Sequence, residues 1–271
     1  MRYLCVLTIA GSDSCGGAGV QADIKTMSAL GVYAASAITS VTVQNTLGVK
    51  AIQAIEPAIV AGQITAVMDD VKPVAIKIGM VNDCATIHAI ADSLSSYSPS
   101  KLVVDPVMAS TSGSMLMQRD ALEVFCSELL PMATLLTPNI PEAEVLSKTE
   151  IHTVDDMDVA AKRILAMGCK AVLIKGGHLE GNKKIDKLYL NDGTVHTFVH
   201  ATINTRNTHG TGCTLSSAIA SFMARGLDLP DAIAHAKEYL SQALEAGKDV
   251  EIGEGHGPVC HLFNPEKTII I

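Results

Sequence analysis

Arg206-Asn207-Thr208-His209-Gly210-Thr211-Gly212-Cys213-Thr214-Leu215-Ser216-Ser217-Ala218-Ile219-Ala220-Ser221 begins polar and glycine-rich. It then runs through small and apolar residues with no breaker before Gly226. This is the pattern of a loop that feeds a helix N-terminus. Gly210 and Gly212 let main-chain N–H groups approach a ligand with no side chain in the way. The first helical turn adds unpaired N–H groups and the positive end of the peptide dipoles. Together these make an anion site, most often for phosphate. Cys213 stands at the helix mouth, where a thiolate is stabilised and its pKa is expected to fall. The alternative, for this stretch alone, is a turn of the chain with Cys213 as a small buried hydrophobe.

Upstream, strand-like and helix-like segments alternate. Leu4–Ala10 reads as a strand, Gly11–Gly19 as a loop, and Val20, Ile24, Met27 and Leu30 fall at helical spacing closed by Gly31. The loop is not a nucleotide P-loop. The spacing Gly11 to Gly16 fits, but Gly17-Ala18 stand where Lys-Ser/Thr is needed, and the GxGxxG pattern also fails. Ala37–Val43, Val74–Ile78, Leu102–Val104, Thr134–Leu136 and Ala171–Ile174 read as strands. Helices are expected from Pro57 to about Asp70, over Asp83–Leu94 and Arg119–Leu130, from near Pro141, and over Asp155–Met167, Thr214–Arg225 and Pro230–Glu245. Asn191-Asp192-Gly193-Thr194, between Leu188–Leu190 and Val195–Phe198, is a hairpin signal.

Such alternation means an α/β fold: a mostly parallel sheet with helices on both faces, and the hairpin adding antiparallel strands at one edge. Ligands bind such sheets beyond the carboxyl ends of the strands. Asp13, Gln44, Asp105, Asn139, Glu142 and Lys175 all follow strands and are expected to share that rim. Their convergence is the physical argument for an enzyme.

The 271 residues suit one domain, since α/β folds of about 250 residues are routinely single. With 48% hydrophobic and 18% charged residues the chain is globular. A formal charge of -8 argues against a nucleic-acid surface, and 3% aromatics without Trp argue against base-stacking platforms. Seven cysteines without CxxC spacing read as reduced thiols in a cytoplasm, with no disulfide framework and no zinc site. The apolar opening superficially resembles a signal peptide, but Gly11-Ser12-Asp13 bound it as a first buried strand. No apolar stretch reaches the length of a membrane span.

Each candidate has a plain alternative. Asp105 can hold Mg²⁺ through water or orient a cation, or it is a turn residue before Pro106. Asn139 and Glu142 offer hard oxygens for Mg²⁺, or form an ordinary N-cap with Glu in the first turn. Lys175 beside two glycines can meet phosphate as a point charge, or is a solvated lysine. Lys237 reads first as a surface charge that can also reach a nucleotide. Asp23 and Gln44 suit hydrogen bonds to a flat polar substrate, with Asp23 equally readable as facing solvent. Met80 lines that pocket or fills core.

The motifs, taken in order, carry a resemblance over nearly the whole chain. They are Leu7-Thr8-Ile9-Ala10-Gly11-Ser12-Asp13-Ser14 with Gly16-Gly17-Ala18-Gly19 and Gln21-Ala22-Asp23; Thr39–Asn45; Lys77-Ile78-Gly79-Met80; and Asp105-Pro106-Val107-Met108. Then come Thr137-Pro138-Asn139 with Pro141-Glu142-Ala143, Lys175-Gly176-Gly177-His178, His209–Thr214, and the tail Gly253–Val259. The sequence resembles the hydroxymethylpyrimidine/phosphomethylpyrimidine kinases of thiamine biosynthesis, within the ribokinase-like superfamily. The resemblance implies a three-layer α/β/α fold and a homodimer. It implies transfer of phosphate from ATP, with Mg²⁺, to the hydroxymethyl group of 4-amino-5-hydroxymethyl-2-methylpyrimidine, and a second transfer onto the monophosphate. It implies that Asp23 and Gln44 hydrogen-bond the aminopyrimidine, with Gly11, Ala18, Met80 and Val107 lining its pocket. Lys175, Asn139, Thr211 and Lys237 are then expected at ATP, and Asp105 and Glu142 at the metal. Gly210, Gly212 and Cys213 are expected to catalyse. Most ribokinase-like sugar kinases have Asp as the base where Cys213 stands, so a thiolate must serve, or positioning and charge stabilisation act alone. Pyridoxal and pyridoxine kinases share this cysteine and are the nearest rival. A thiol hydrolase using Cys213 and His209 is a rival of another class, against which no orienting Asp or Asn is evident near His209. A non-catalytic sensor is a third.

Overall fold

Alternate residues of the first strand, β1 (Cys5–Asp13), enter two different cores. Cys5, Leu7 and Ile9 pack into one, and Val6, with Leu4 just before the strand, into the other. The period-two geometry of a strand requires this wherever a sheet is covered on both faces. The computed structural model describes residues 1–110, 113, 115–178 and 183–271. After β1 come α1 (Gly19–Ala29), β2 (Tyr33–Asn45), β3 (Gly48–Ala54), α2 (Pro57–Asp70), β4 (Ala75–Ile78), α3 (Cys84–Ser95) and β5 (Leu102–Val104). Then follow α4 (Ala121–Val124), β6 (Leu135–Leu136), α5 (Ile140–Ser147), α6 (Asp156–Leu165), β7 (Ala171–Lys175), β8 (Lys183–Leu190), β9 (Val195–Ala201), α7 (Thr211–Ala224) and α8 (Leu229–Gly247).

The strands form one sheet in the order β3-β2-β1-β4-β5-β6-β7-β8-β9. The run from β2 to β7 is parallel. β8 and β9 continue it as an antiparallel hairpin at one edge, as the sequence predicts. Helices α2, α3, α5 and α6 bury Val60, Ile64, Ile87, Ile90, Ala143 and Ile164 on one face. Helices α1, α7 and α8 bury Met27, Leu215, Ile219, Ile233 and Ala236 on the other. This is the expected α/β/α sandwich.

Local chemistry explains most boundaries. Pro57 occupies the first turn of α2, where its missing N–H costs nothing. Asp83 caps α3 by accepting from Thr86 N at 2.8 Å. Gly31, at φ 71°, turns the chain out of α1 as only glycine does freely. Two expectations need correction, and one strand carries no clear sequence signal. β1 does not stop at Ala10; it continues to Asp13 through a register shift against β2. β3 pairs antiparallel with β2 at the far edge, although Gly48–Ala54 carries two alanines, a lysine and a glutamine, which are weak strand formers. The expected helix Arg119–Leu130 is α-helical only over Ala121–Val124, then loosens to a π turn over Phe125–Leu129 and tightens to 3₁₀ over Leu130–Met132.

The chain runs outward from β1 to β2, then returns to place β4 on β1's other side. The carboxyl ends of β1 and β4 therefore flank the point where strand order reverses, the usual ligand crevice of such sheets.

Candidate active site

A cleft of about 1060 Å³ opens along the carboxyl rim. It is lined by Gly11 near the end of β1, Ala18 after it, Gln44 at the end of β2, Met80 after β4, and Asp105 and Val107 after β5. Asn139 and Glu142 at α5, Lys175 at the end of β7, Lys237 on α8, and Gly210, Thr211, Gly212 and Cys213 at α7 complete that set. Every sequence-predicted site residue except Asp23 borders it.

Asp23 is fully buried. Its carboxylate accepts from Lys77 Nζ at 2.8 and 2.9 Å, from Thr8 Oγ1 at 2.6 Å and from Ser217 Oγ at 2.6 Å. Both oxygens are spent inside the protein. This overturns the solvent-facing reading, and Asp23 does not reach the cleft to bind substrate. It holds Lys77, itself fully buried, on the sheet face covered by α7. Burial opposes the Lys77 charge, but Asp23, together with Cys213 and Asp105, more than offsets it and raises the pKa. Ser217 lies one helical turn beyond Cys213, so the ion pair sits under the N-terminal end of α7.

The N-terminus of α7 is open. Gly210 caps it at φ 76°, and the N–H groups of Gly212 and Cys213 find no hydrogen-bond partner among the described residues. Glycine is required at 210: a Cβ there would lie 1.9 Å from Gly17 O. The two glycine loops thus interlock, with Gly17 meeting His209 in the same way. A Cβ on Gly212 would instead point at Asp105 Oδ2, 3.3 Å away, and Lys175 Nζ, 3.5 Å away. The absent methyl leaves space between the α7 amides and the Lys175 ammonium.

Lys175 Nζ bonds Asp105 Oδ1 at 3.0 Å, and Thr137 Oγ1 donates to the same oxygen at 2.9 Å. Burial works against the Lys175 charge, yet Asp105 and Glu142 raise its pKa, so the lysine stays an ammonium. It is not a solvated lysine. Asn139 and Glu142 form a reciprocal capping box: Glu142 N donates to Asn139 Oδ1 at 2.9 Å, and Asn139 N donates to Glu142 Oε2 at 2.8 Å. The plain N-cap reading therefore holds, and it leaves one Glu142 oxygen outside the box. The Glu142 carboxyl is raised to about 7, pushed up by burial, pulled down by Lys175 and pushed up by Asp105.

Two expectations about charge are reversed. The Cys213 thiol is not lowered by the helix N-terminus. Burial pushes it up to about 11; Lys77 pulls it down, while Asp23 and Asp105 push it up. Desolvation outweighs the dipole here. Lys237 is not a surface charge. Its Nζ pairs closely with the buried Asp186, whose other oxygen accepts from Gly176 N at 2.9 Å. Burial lowers the Lys237 pKa, against the pull of Asp186.

Sequence reasoning also missed the partner of His209. Its Nε2 lies 2.8 Å from Asp13 Oδ2. Asp13 further accepts from the N–H groups of Cys15, Gly17 and Ala18 at 2.8, 2.9 and 2.8 Å. Burial alone would raise its pKa, but His209 and these amides hold it below the usual carboxylate value. An orienting acid is therefore present, 196 residues away in sequence. His209 spends that nitrogen on Asp13, however, and the Cys213 thiol is not acidified, so the dyad needed for thiol hydrolysis is not assembled.

A doubly covered, mostly parallel sheet with an open helix N-terminus, a part-buried ammonium and two carboxylates at its carboxyl rim is the arrangement of a small-molecule kinase of the ribokinase-like class. More narrowly, residues 13–260 match the family model described as phosphomethylpyrimidine kinase, and the chain belongs to that family. It is 49% identical over 258 residues to the hydroxymethylpyrimidine/phosphomethylpyrimidine kinase of Rhizobium meliloti, covering 94% of this chain and 96% of that one. It is 47% identical over 262 residues to the thiamine biosynthesis bifunctional protein ThiED of Geobacter sulfurreducens. That match covers 96% of this chain but 53% of the relative, so the chain spans about half of that bifunctional protein. The pyridoxal kinase of Staphylococcus aureus, solved with AMP-PCP and pyridoxal, superposes with a TM-score of 0.88 at 30% identity, covering 98% of this chain and 97% of that one. Among the described residues, no helix is long and apolar enough to cross a membrane.

Proposed function

We propose that the cleft transfers the γ-phosphoryl group of ATP to the hydroxymethyl oxygen of 4-amino-5-hydroxymethyl-2-methylpyrimidine, and then phosphorylates the monophosphate to the diphosphate, in thiamine biosynthesis. The carrying observation is the gap left by Gly212, bounded by the unpaired α7 amides on one side and Lys175 on the other. Asp105 Oδ2 also borders that space, so a phosphoryl oxygen there would be held by the amides and Lys175 against a carboxylate that a bound cation would neutralise. Phosphoryl transfer asks little covalent work of a protein; alignment and charge stabilisation dominate.

In this reading Gln44, Gly11, Ala18, Met80 and Val107 hold the pyrimidine. Lys175, Asn139, Thr211 and Lys237 face ATP. The hydroxymethyl oxygen bonds to the γ-phosphorus as the bridging bond to the β-phosphate breaks. The α7 amides and Lys175 hold the charge that develops on the phosphoryl oxygens. The hydroxyl proton passes to Cys213 in its thiolate form, which the neighbouring Lys77 favours and burial opposes. Asp105 and Glu142 fit Mg²⁺ as hard oxygen ligands. Glu142 is raised partly by repulsion from Asp105, which a second cation relieves. Because both carboxylates already serve protein donors, they suit a metal held through water. Bound Mg²⁺ supplies neutralisation of phosphate oxygens. We further take residues 1–271 as one kinase domain, working as a cytoplasmic homodimer.

The nearest rival substrate class is pyridoxal and pyridoxine. Competition between the aminopyrimidine and pyridoxal at fixed ATP, compared as kcat/KM, decides it. The aminopyrimidine is expected to win by at least about tenfold, a margin of 1.4 kcal/mol; a pyridoxal preference would overturn the assignment.

A further inference from the structure

Gln44 reaches the cleft from the end of β2, its main chain pinned by Ser14, whose Oγ donates to Gln44 O at 2.7 Å and accepts from Gln44 N at 2.9 Å. Two groups flank its amide. His209 Nε2 lies 3.4 Å from one terminal atom, placed as Nε2. Thr42 Oγ1 lies 3.2 Å from the other, placed as Oε1. Hydrogen counting decides between the two orientations of that amide.

His209 Nε2 carries a hydrogen in either charge state, because it meets the Asp13 carboxylate at 2.8 Å. Asp13 is ionised: it accepts three main-chain N–H groups besides, and its pKa is lowered. An amide NH₂ beside that ring N–H sets donor against donor. Thr42 has one hydroxyl hydrogen, and Ser12 O takes it at 2.9 Å. What Thr42 presents to Gln44 is then a lone pair, and a carbonyl oxygen there sets acceptor against acceptor. Rotating the amide by half a turn exchanges O and N without moving any other atom. Both mismatches then become hydrogen bonds: the His209 N–H shared onto Gln44 Oε1, and Gln44 Nε2–H onto Thr42 Oγ1.

We propose that His209, braced by Asp13, together with Thr42, locks the Gln44 amide with its oxygen toward His209 and its nitrogen toward Thr42, and so dictates which ring edge the cleft accepts. The locked amide has one lone pair and one N–H left for a ligand. A substrate must offer a donor on the His209 side and an acceptor on the Thr42 side. An exocyclic amine next to an unprotonated ring nitrogen does so. A ring carbonyl next to a protonated ring nitrogen offers the reverse and is rejected. His209 and Thr42 are thus positioning residues for specificity. The inference rests on Gln44 being the pyrimidine contact.

The test measures kcat/KM for the 4-amino-5-hydroxymethyl-2-methylpyrimidine and for its 4-oxo counterpart, with ATP and Mg²⁺. Wild type is expected to favour the amine by roughly 10²-fold or more, since a site built to hydrogen-bond rejects an analogue that leaves its groups unpaired. H209L removes the N–H that orients the oxygen. T42V, nearly isosteric, removes the lone pair that orients the nitrogen and covers the case in which H209L does not fold. In either variant the amide is released, and the amine-to-oxo ratio should fall at least about tenfold. A merely structural role would slow both substrates equally and keep the ratio. If T42V, and H209L where it folds, keep the wild-type ratio, the inference is wrong while the pyrimidine assignment stands. If wild type turns over neither pyrimidine, the assignment fails and takes the inference with it.

Discussion

Replacing Gly212 by Ala should keep or slightly raise stability while sharply cutting turnover. Gly212 is the second residue of α7 and lies outside the positive-φ region, so alanine fits its backbone. The added methyl would rest 3.3 Å from Asp105 Oδ2 and 3.5 Å from Lys175 Nζ, contacts that need at most a small adjustment. Glycine costs a helix up to about 1 kcal/mol relative to alanine. In a chain of this size that is a rise in Tm of roughly 2–4 °C at most. The same methyl fills the space between the α7 amides and Lys175. A phosphoryl oxygen must sit there at about 2.9 Å from its donors. Displacing it by about 1 Å costs on the order of 10²-fold in rate. G212A is therefore expected to melt at or slightly above the wild-type temperature while kcat/KM, measured by coupled ADP release, falls at least about 100-fold. Activity within about fivefold of wild type would show that phosphate does not occupy this gap. A fall in Tm with equal loss of activity would mean that the methyl disrupts packing instead.

Three further outcomes follow from the charges. C213A should lose about 10²–10⁴-fold in kcat, the usual worth of a general base, while ATP still binds by calorimetry. Because burial holds the thiol near 11, wild-type kcat should climb with pH from 7 to 9 and the residual C213A rate should not. Parallel pH profiles would remove Cys213 from proton transfer. Glu142 is raised from 4.5 to about 7. The folded state thus holds a proton that the unfolded state releases, a contribution fully present below pH 4.5 and lost as pH rises through 7. The metal-free protein should lose Tm from pH 5 to 7.5, E142Q should lose less, and an identical slope in both would refute the shift. K77M strands the Asp23 carboxylate in the core, which costs about 3–5 kcal/mol; the paired K77M/D23N change should recover much of the lost Tm, and no recovery would refute the coupling.

The parallel sheet was legible because its strands are short apolar runs punctuated by glycine or polar residues, and a segment such as Leu102–Val104 falls where it was placed. The rim was legible for the same reason, since Lys175 ends β7 while Asp105 and Asn139 follow shortly after β5 and β6. The burial of Asp23 is hidden by the apolar spacing of α1. The stripe Val20, Ile24, Met27 sets it outside, whereas the buried stripe is Val20, Asp23, Met27, with Ile24 left 37% exposed. The clue was Lys77, a charge within the apolar run Val74–Ile78, which demands a buried partner. The Asp13–His209 pair joins β1 to the start of α7 across most of the chain, and no local pattern carries such a contact. The raised thiol was hidden too: helix-end electrostatics can be read from sequence, but desolvation depends on what packs above the sulfur.

The account stands most directly on the product. Purified protein incubated with ATP, Mg²⁺ and 4-amino-5-hydroxymethyl-2-methylpyrimidine should give, by phosphorus NMR, first a phosphomonoester on the hydroxymethyl oxygen and then a diphosphate, each with one equivalent of ADP. Release of inorganic phosphate alone, with the pyrimidine unchanged, would contradict it.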